Sequence, residues 1–256
     1  PYLLRKKIKN ADVLMHNHLL GTWLTIILKK FLKIPILLRT GYDMYRFSIF
    51  ENKWFFKKFL YFLLTKLSLS NCEIFTVTSR EDKNFLTEKF NKHGSKIKIR
   101  PNWVDEIEFN KFSNRFNNKV LMVGRLEGQK NYFYAIDILK NSNLELVIYG
   151  DGSLKKELIN YARKNGVALE IMDPLENEKL KNIYSKYKVY LSTSAYEGNS
   201  KTILEAMSAG CVVFGSNIYN NKELFEYENG VLINLKEQKF ETILSKINHF
   251  LEIDSI

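Results

Sequence analysis

Cysteine is scarce in this chain of 256 residues. Cys72 and Cys211 are far apart and match no metal or redox spacing, which fits a reduced, cytoplasmic compartment. Long apolar runs are missing as well. Trp23 to Leu38 is interrupted by Lys29, Lys30 and Lys33, and Phe59 to Leu69 is short and contains Lys66, so no transmembrane span is expected. Pro1 to Asn10 is basic but leads to no apolar h-region, so no signal peptide is expected, and the missing initiator Met marks Pro1 as other than the natural start. No repeat at a solenoid period and no low-complexity tract is present. Acids are in the minority, 28 against 39 basic residues, for a formal net charge of +11. That balance calls for an anionic partner, whether nucleic acid, anionic lipid or a phosphorylated substrate. A residue mix leaning on Lys, Asn, Ile and Phe would also raise the charge through codon bias alone.

What is present suffices for one large domain or two ordinary ones, with 45% of residues hydrophobic. Apolar strands alternate with helical patterns. Strands are expected at Asp12 to Asn17, Pro35 to Arg39, Glu73 to Thr78 and Lys96 to Arg100, with helices at Leu19 to Leu32, from about Trp54 and at Arg80 to Asn91. A polar segment, Glu106 to Lys119, reads as a linker, dividing residues 1–110 from 111–256. The pattern then restarts at Val120 to Val123. This rhythm predicts an α/β architecture of two Rossmann-like, doubly wound domains facing across a cleft. Ligands of such sheets sit at the carboxyl ends of strands. His16, His18, Thr40, Asp43, Asn102, Gly124, Arg125, Gly150, Asp151 and Glu197 all fall there.

One stretch carries the most chemistry: Ser192 to Gly210, STSAYEGNSKTILEAMSAG. Val189 to Leu191 closes a buried strand, a polar turn holds Glu197, Gly198, Asn199 and Ser200, and Lys201 to Ala209 reads as a helix. Ile203, Leu204 and Met207 form its expected core stripe, with Gly210 at the C′ position. Free N–H groups and the helix dipole make such a turn an anion site. Glu197 and Glu205 would repel phosphate but suit hydroxyl groups. Phosphate at the amides and hydroxyls at the acids together describe a nucleotide-sugar; the plain alternative is two surface glutamates. A second strand-to-helix turn, Gly124-Arg125-Leu126-Glu127-Gly128-Gln129-Lys130-Asn131, sets two cations beside a helix start, which suits a diphosphate; taken alone, the plainer reading is two solvated surface cations in a chain that has 39. There Gly124 lets the backbone approach a ligand, and Tyr149-Gly150-Asp151-Gly152 is a further strand-end turn.

The strings GRLEGQKN, IYGDGS and EGNSKTILEAMSAGCVV, in this order, resemble the C-terminal domain of GT-B glycosyltransferases. More narrowly they are similar to the retaining glycosyltransferase family 4, the glycosyl transferases group 1, whose E-x7-E motif matches Glu197 and Glu205. DVLMHNHL, VTSRED and RPNWVD extend the resemblance into the first domain. The resemblance implies that Arg125 and Lys130 bind the donor diphosphate and Glu205 the ribose hydroxyls. Glu197 would contact the donor sugar, with the amides of Gly198, Asn199, Ser200, Lys201 and Thr202 nearby. It implies transfer of a sugar from a nucleotide-sugar co-substrate to an acceptor hydroxyl, with retention, in surface polysaccharide or lipopolysaccharide assembly. No metal and no further cofactor is demanded.

The chain departs from the family pattern in three ways. The first βα units of the N-terminal domain, with their glycine-rich loop, and the final helices would lie beyond its ends. A family histidine is replaced by Thr40, leaving His18, or else His16, as the cleft imidazole, with Thr40, Asp43 and Asn102 on the acceptor side. The basic aromatic region Arg46 to Lys66 either rests on anionic lipid, suiting a lipid-linked acceptor at the inner face of the cytoplasmic membrane, or packs its rings in the core. Two other readings stand beside transfer: a domain that binds nucleotide-sugar without turnover, and a basic nucleic-acid-binding protein. No nucleic-acid module is recognised, and no nucleic-acid partner is expected.

Overall fold

The computed structural model describes residues 8, 10–41, 43–107, 110–227 and 229–253. Tyr42, in the turn read at Thr40 to Asp43, lies outside them, as does most of the basic stretch Pro1 to Asn10. The chain divides into two compact units, Pro1–Asn102 and Trp103–Ile256.

The first unit holds a parallel sheet in chain order, β1 (Leu14–Asn17), β2 (Ile36–Arg39), β3 (Ile74–Val77) and β4 (Ile97–Ile99). Helices α1 (Thr22–Leu32), α2 (Met44–Phe50), α3 (Phe55–Asn71) and α4 (Arg80–Lys89) connect the strands. The strand pleat sends Ile36, Leu38, Phe75, Val77 and Ile97 to one face. There Ile26 of α1, Leu69 of α3 and Leu86 of α4 meet them in one core. Helix α1 begins three residues later than the apolar pattern suggested, because Gly21 takes a left-handed conformation with φ of 87°. The basic aromatic region is two helices, α2 and α3, separated by a turn in which Asn52 also has positive φ. Arg46 is buried on α2 and donates to Asp82 Oδ1 at 2.8 Å and to Glu81 Oε1 at 2.9 Å, fastening α2 to α4.

The second unit is built on β5 (Phe116–Val123), β6 (Glu145–Tyr149), β7 (Ala168–Met172), β8 (Tyr187–Ser192), β9 (Val212–Ser216) and β10 (Val231–Ile233). All pairs are parallel, in the spatial order β10-β9-β8-β5-β6-β7. The helices are α5 (Tyr132–Leu139), α6 (Lys155–Lys164), α7 (Asn177–Tyr184), α8 (Lys201–Ser208), α9 (Tyr219–Leu224) and α10 (Phe240–Glu252). Alternate residues of each strand go to opposite faces. Val120 and Met122 join α5, α6 and α10 in one core, whereas Leu121 and Val123 join α7 and α8 in the other. Both faces are therefore covered, as a doubly wound sheet requires. The direction of winding reverses between β5 and β8, and ligands of such sheets collect at that reversal.

Two buried cations brace this unit. Arg115, in the segment read as linker, donates to the carbonyls of Asn110, Tyr187, Ala209 and Gly210 at 2.9–3.2 Å. Ile107 from the same segment is buried in a core, and β5 starts at Phe116 rather than Val120. Lys188 in β8 is 2% exposed and donates to the carbonyls of Leu251, in the last turn of α10, and of Ile253, just past it.

Candidate functional site

The two motif turns come together at the carboxyl ends of the neighbouring strands β5 and β8. After β5 the chain runs through Gly124 and Arg125 into a single 3₁₀ turn, Gly128–Lys130, and then into α5. After β8 it runs through buried Thr193 and Ser194 to Glu197 and α8. The Thr193 hydroxyl donates to the carbonyls of Lys130 and Asn131, and the Ala195 amide donates to the carbonyl of Gln129 at 2.9 Å. The turns are thus stitched to each other before any ligand is considered.

Glu197 is the most heavily held side chain here. Its Oε1 accepts from Lys130 Nζ at 2.5 Å and from the Ser194 hydroxyl at 2.7 Å. Its main-chain carbonyl accepts from Asn220 Nδ2 at 2.6 Å, from the first turn of α9. Gln129 Nε2 donates to the Tyr196 carbonyl at 2.9 Å. The sequence reading missed Gln129, Thr193, Ser194 and Asn220. The run Ser192-Thr193-Ser194 was the available signal: three small polar residues closing and following a strand buried along its whole length. Nothing comparable marks Asn220.

Glu205 departs from the expected helix face. Ile203, Glu205 and Ala206 are the buried residues of α8, whereas Leu204 and Met207 are half-buried. The expected core stripe of Ile203, Leu204 and Met207 was therefore rotated, because small Ala206 takes an inward position that larger residues were expected to fill. Glu205 Oε2 accepts from the Tyr184 hydroxyl at 3.0 Å, and Oε1 lies 3.4 Å from Lys201 Nζ. Burial first, then neighbouring charge including Glu205, holds the Tyr184 phenol far above its ordinary pKa, so it remains a donor. A carboxylate only 7% exposed has acceptor capacity left beyond these two contacts. Ser200 stands at the N-cap of α8 without a side-chain cap bond, so the first-turn amides of Lys201, Thr202 and Ile203 have no partner inside the helix. Arg125 is exposed, with no ion-pair partner among the described residues. Gly198, Asn199 and Ser200 are buried in the turn.

Gly150 has a specific reason to be glycine. A Cβ there would lie 1.9 Å from the Gly124 carbonyl oxygen, and one on Gly152 would lie 2.7 Å from that of Leu126. The Leu126 amide donates to the Asp151 carbonyl at 2.9 Å, and Glu127 accepts from Ser153. The Gly150 turn therefore supports the Gly124 turn by close backbone packing.

In the first unit the candidate residues separate by burial. His18 is exposed and in the left-handed region, with φ of 70°. His16 is engaged locally, its Nδ1 2.9 Å from the Thr25 hydroxyl and its Nε2 3.1 Å from the Leu20 carbonyl. Thr40 is buried and donates to the Thr76 carbonyl at 3.0 Å. Asp43 is buried and caps α2 by accepting from the Arg46 amide at 2.6 Å. Burial, with Asp82 nearby, raises its pKa to about 7 against the opposing pull of Arg46. Asn102 Oδ1 is 3.5 Å from Arg39 Nη2. Among the described residues no group of three or more His, Cys, Asp and Glu is placed to hold a metal ion.

A doubly wound sheet with two glycine-containing turns and an open helix terminus at its reversal is a nucleotide-binding architecture, and the fold is that of GT-B glycosyltransferases. HepE of Anabaena, solved with UDP and glucose, superposes at a TM-score of 0.80 with 17% identity, over 98% of this chain and 71% of that one. Residues 104–255 match the family Glycosyl transferases group 1, and the chain belongs to that family. It is 28% identical over 269 residues to an α-1,4-N-acetyl-D-galactosaminyltransferase of Campylobacter jejuni, named for a substrate on diphosphoundecaprenol. It is 35% identical over 140 residues to the amylovoran biosynthesis glycosyltransferase AmsD of Erwinia amylovora. The chain spans 71% of the Campylobacter protein's length and 39% of the Erwinia protein's.

Proposed function

We propose that this chain transfers a sugar from a nucleoside-diphosphate sugar to an acceptor hydroxyl with retention of anomeric configuration, in glycan or polysaccharide assembly. The observation that carries the proposal is the placement of Lys130, Glu197 and the open α8 terminus around one strand reversal, with buried Glu205 a turn further in. In this reading Arg125, Lys130 and the amides from Gly198 to Thr202 receive the diphosphate, with Gly124 leaving room for it. Glu205 accepts from the ribose hydroxyls and Glu197 from those of the sugar. As the bond from the sugar C1 to the phosphate oxygen breaks, negative charge grows on the departing diphosphate, where fixed cations and dipoles stabilise it. The acceptor oxygen bonds to C1 on the same face and its proton passes to the leaving phosphate oxygen. His18, at an exposed strand end of the first unit, is our candidate imidazole for the reacting hydroxyl. The donor base proposed is uracil, since HepE was solved with UDP. The acceptor proposed is lipid-linked, after the name of the Campylobacter relative.

The test is calorimetric titration and thermal denaturation with UDP, GDP, ADP and CMP, on this chain and on Glu205→Ala. UDP at about 100 times its dissociation constant should stabilise the chain by about 2.7 kcal/mol. Glu205→Ala should weaken binding about tenfold or more, losing hydrogen bonds to a charged group. Equal binding by both proteins removes Glu205 from the donor site. Binding without sugar transfer would support the binding-only reading instead.

A further inference from the structure

Tyr184 is the last residue of α7 and is fully buried. It is fastened at three points. Its ring centroid lies 5.8 Å from that of Tyr190, with the rings tilted by 57°. Its main-chain carbonyl accepts from Cys211 Sγ at 3.2 Å. Its hydroxyl donates to Glu205 Oε2 at 3.0 Å. Burial raises the phenol pKa first, and neighbouring Tyr190 and Glu205 raise it further, so the hydroxyl stays protonated and keeps its donor role. Tyr190, the partner ring in β8, is also buried and hydrogen-bonds the Thr202 side chain in the first turn of α8. Two packed phenols therefore support α8 from the interior, and one of them holds its buried carboxylate.

The two oxygens of Glu205 are held unequally. Oε2 accepts from the buried Tyr184 hydroxyl. Oε1 lies 3.4 Å from Lys201 Nζ, and that lysine side chain is 47% exposed. Water screens an ion pair of this kind, and lysine four residues ahead of glutamate is the weaker order on a helix. Tyr184 is thus the firmer hold, and Oε1 is the oxygen with capacity to spare. A glutamate side chain without such a hold must be ordered by its ligand, which weakens binding. On the reading of Glu205 as the acceptor for ribose hydroxyls, we propose that Tyr184 is a positioning residue that sets ribose selectivity. It holds Oε2 from the interior, so that Oε1 meets the ribose hydroxyls and ribonucleotides bind better than their deoxy counterparts.

The test is calorimetric titration with UDP and with 2′,3′-dideoxy-UDP, which keeps the base and diphosphate but lacks both hydroxyls. Four proteins are compared: the unaltered chain, Tyr184→Phe, Glu205→Ala and the double variant, each checked for folding by circular dichroism. The unaltered chain should prefer UDP by about tenfold or more, as hydrogen bonds to a charged group allow. Tyr184→Phe should cut that preference by about fivefold or more while leaving dideoxy-UDP affinity within about twofold. Glu205→Ala should abolish the preference, and adding Tyr184→Phe to it should change nothing further. A merely structural phenol would, when lost, weaken both ligands alike. That result, or an undiminished preference in Tyr184→Phe, overturns the proposal and leaves Glu205 in the donor site. A preference that survives Glu205→Ala, or no UDP binding by the unaltered chain, overturns the donor-site reading and this proposal with it. Because Tyr184→Phe takes a donor from a buried carboxylate, Glu205→Gln is also compared with Glu205→Gln/Tyr184→Phe. There too the preference for UDP should shrink when the phenol oxygen is removed, and an equal preference in the two overturns the proposal.

Discussion

Lys130 Nζ lies 2.5 Å from Glu197 Oε1, so two side chains read from the sequence as separate ligands form one ion pair across two turns. Ser194 shares the same oxygen. Neither group acts alone, and their removals should not add. Lys130→Ala, Glu197→Ala and the double variant, unfolded in urea, should give a coupling energy of about 1–3 kcal/mol. In transfer assays each single change should reduce kcat by about a hundredfold or more. UDP affinity should fall for Lys130→Ala and stay close to normal for Glu197→Ala. Additive stabilities, or equal effects on UDP affinity, would separate the two residues into independent roles.

Glycine at position 150 is set by a neighbouring backbone. Gly150→Ala places a Cβ against the Gly124 carbonyl and should destabilise the chain by about 3 kcal/mol or more. Gly128→Ala meets nothing within 4 Å and should change stability by no more than about 0.5 kcal/mol. Denaturant midpoints decide the matter, and a tolerated alanine at 150 would mean that the two turns are not in contact.

Asp43 makes a pH prediction. Its folded pKa is raised to about 7 from 3.8, first by burial and then by Asp82, with Arg46 and the backbone amides opposing. A raised folded value means that the native state holds the proton more tightly than the unfolded chain. The favourable contribution is fully present below about pH 4 and is lost as pH rises to about 7. Asp43→Asn keeps a cap acceptor and removes this titration. The stability of the unaltered chain relative to Asp43→Asn should therefore fall by a few kcal/mol between about pH 4 and 7. Parallel pH curves for the two proteins would show that Asp43 is not held this way.

Arg115 joins the segment before β5 to the carbonyl ends of α8. Arg115→Ala leaves buried carbonyls without a donor and should destabilise by about 2–4 kcal/mol. Arg115→Lys should recover less than half of that, because a single ammonium cannot fork across four carbonyls. Full rescue by lysine would mean that charge alone, not the planar fork, sets the contact.

The strand and helix rhythm was legible because several strands of the second unit hold a short apolar run closed by Gly or small polar residues, as at Val123-Gly124 and Tyr149-Gly150. The two motif turns were legible for the same reason, since glycine, cations and carboxylates cluster at strand ends. The face of α8 was not. Spacing favoured Leu204 and Met207, and only the packing of Ala206 shows that Glu205 is buried. Asn220 was hidden because its role lies in reaching the Glu197 carbonyl from a turn distant in sequence. The inner face of α3 was hidden as well: Leu69 is buried while Phe56 and Phe59 are exposed, which leaves little period to read. Trp54 and the phenylalanines after it fit core and surface equally well until their exposure is known.

Lys188 sets a timetable for making the protein. Its ammonium, inside the central sheet, is satisfied by carbonyls at Leu251 and Ile253, the former 63 positions later in the chain. During synthesis β8 emerges long before those two carbonyls do, so until then its ammonium lacks both of these acceptors. The strand carrying the turn to Glu197 thus gains these two contacts only once Leu251 and Ile253 have left the ribosome. A nascent chain halted before Leu251 should remain protease-sensitive through β8, whereas one extended past Ile253 and clear of the ribosome should not.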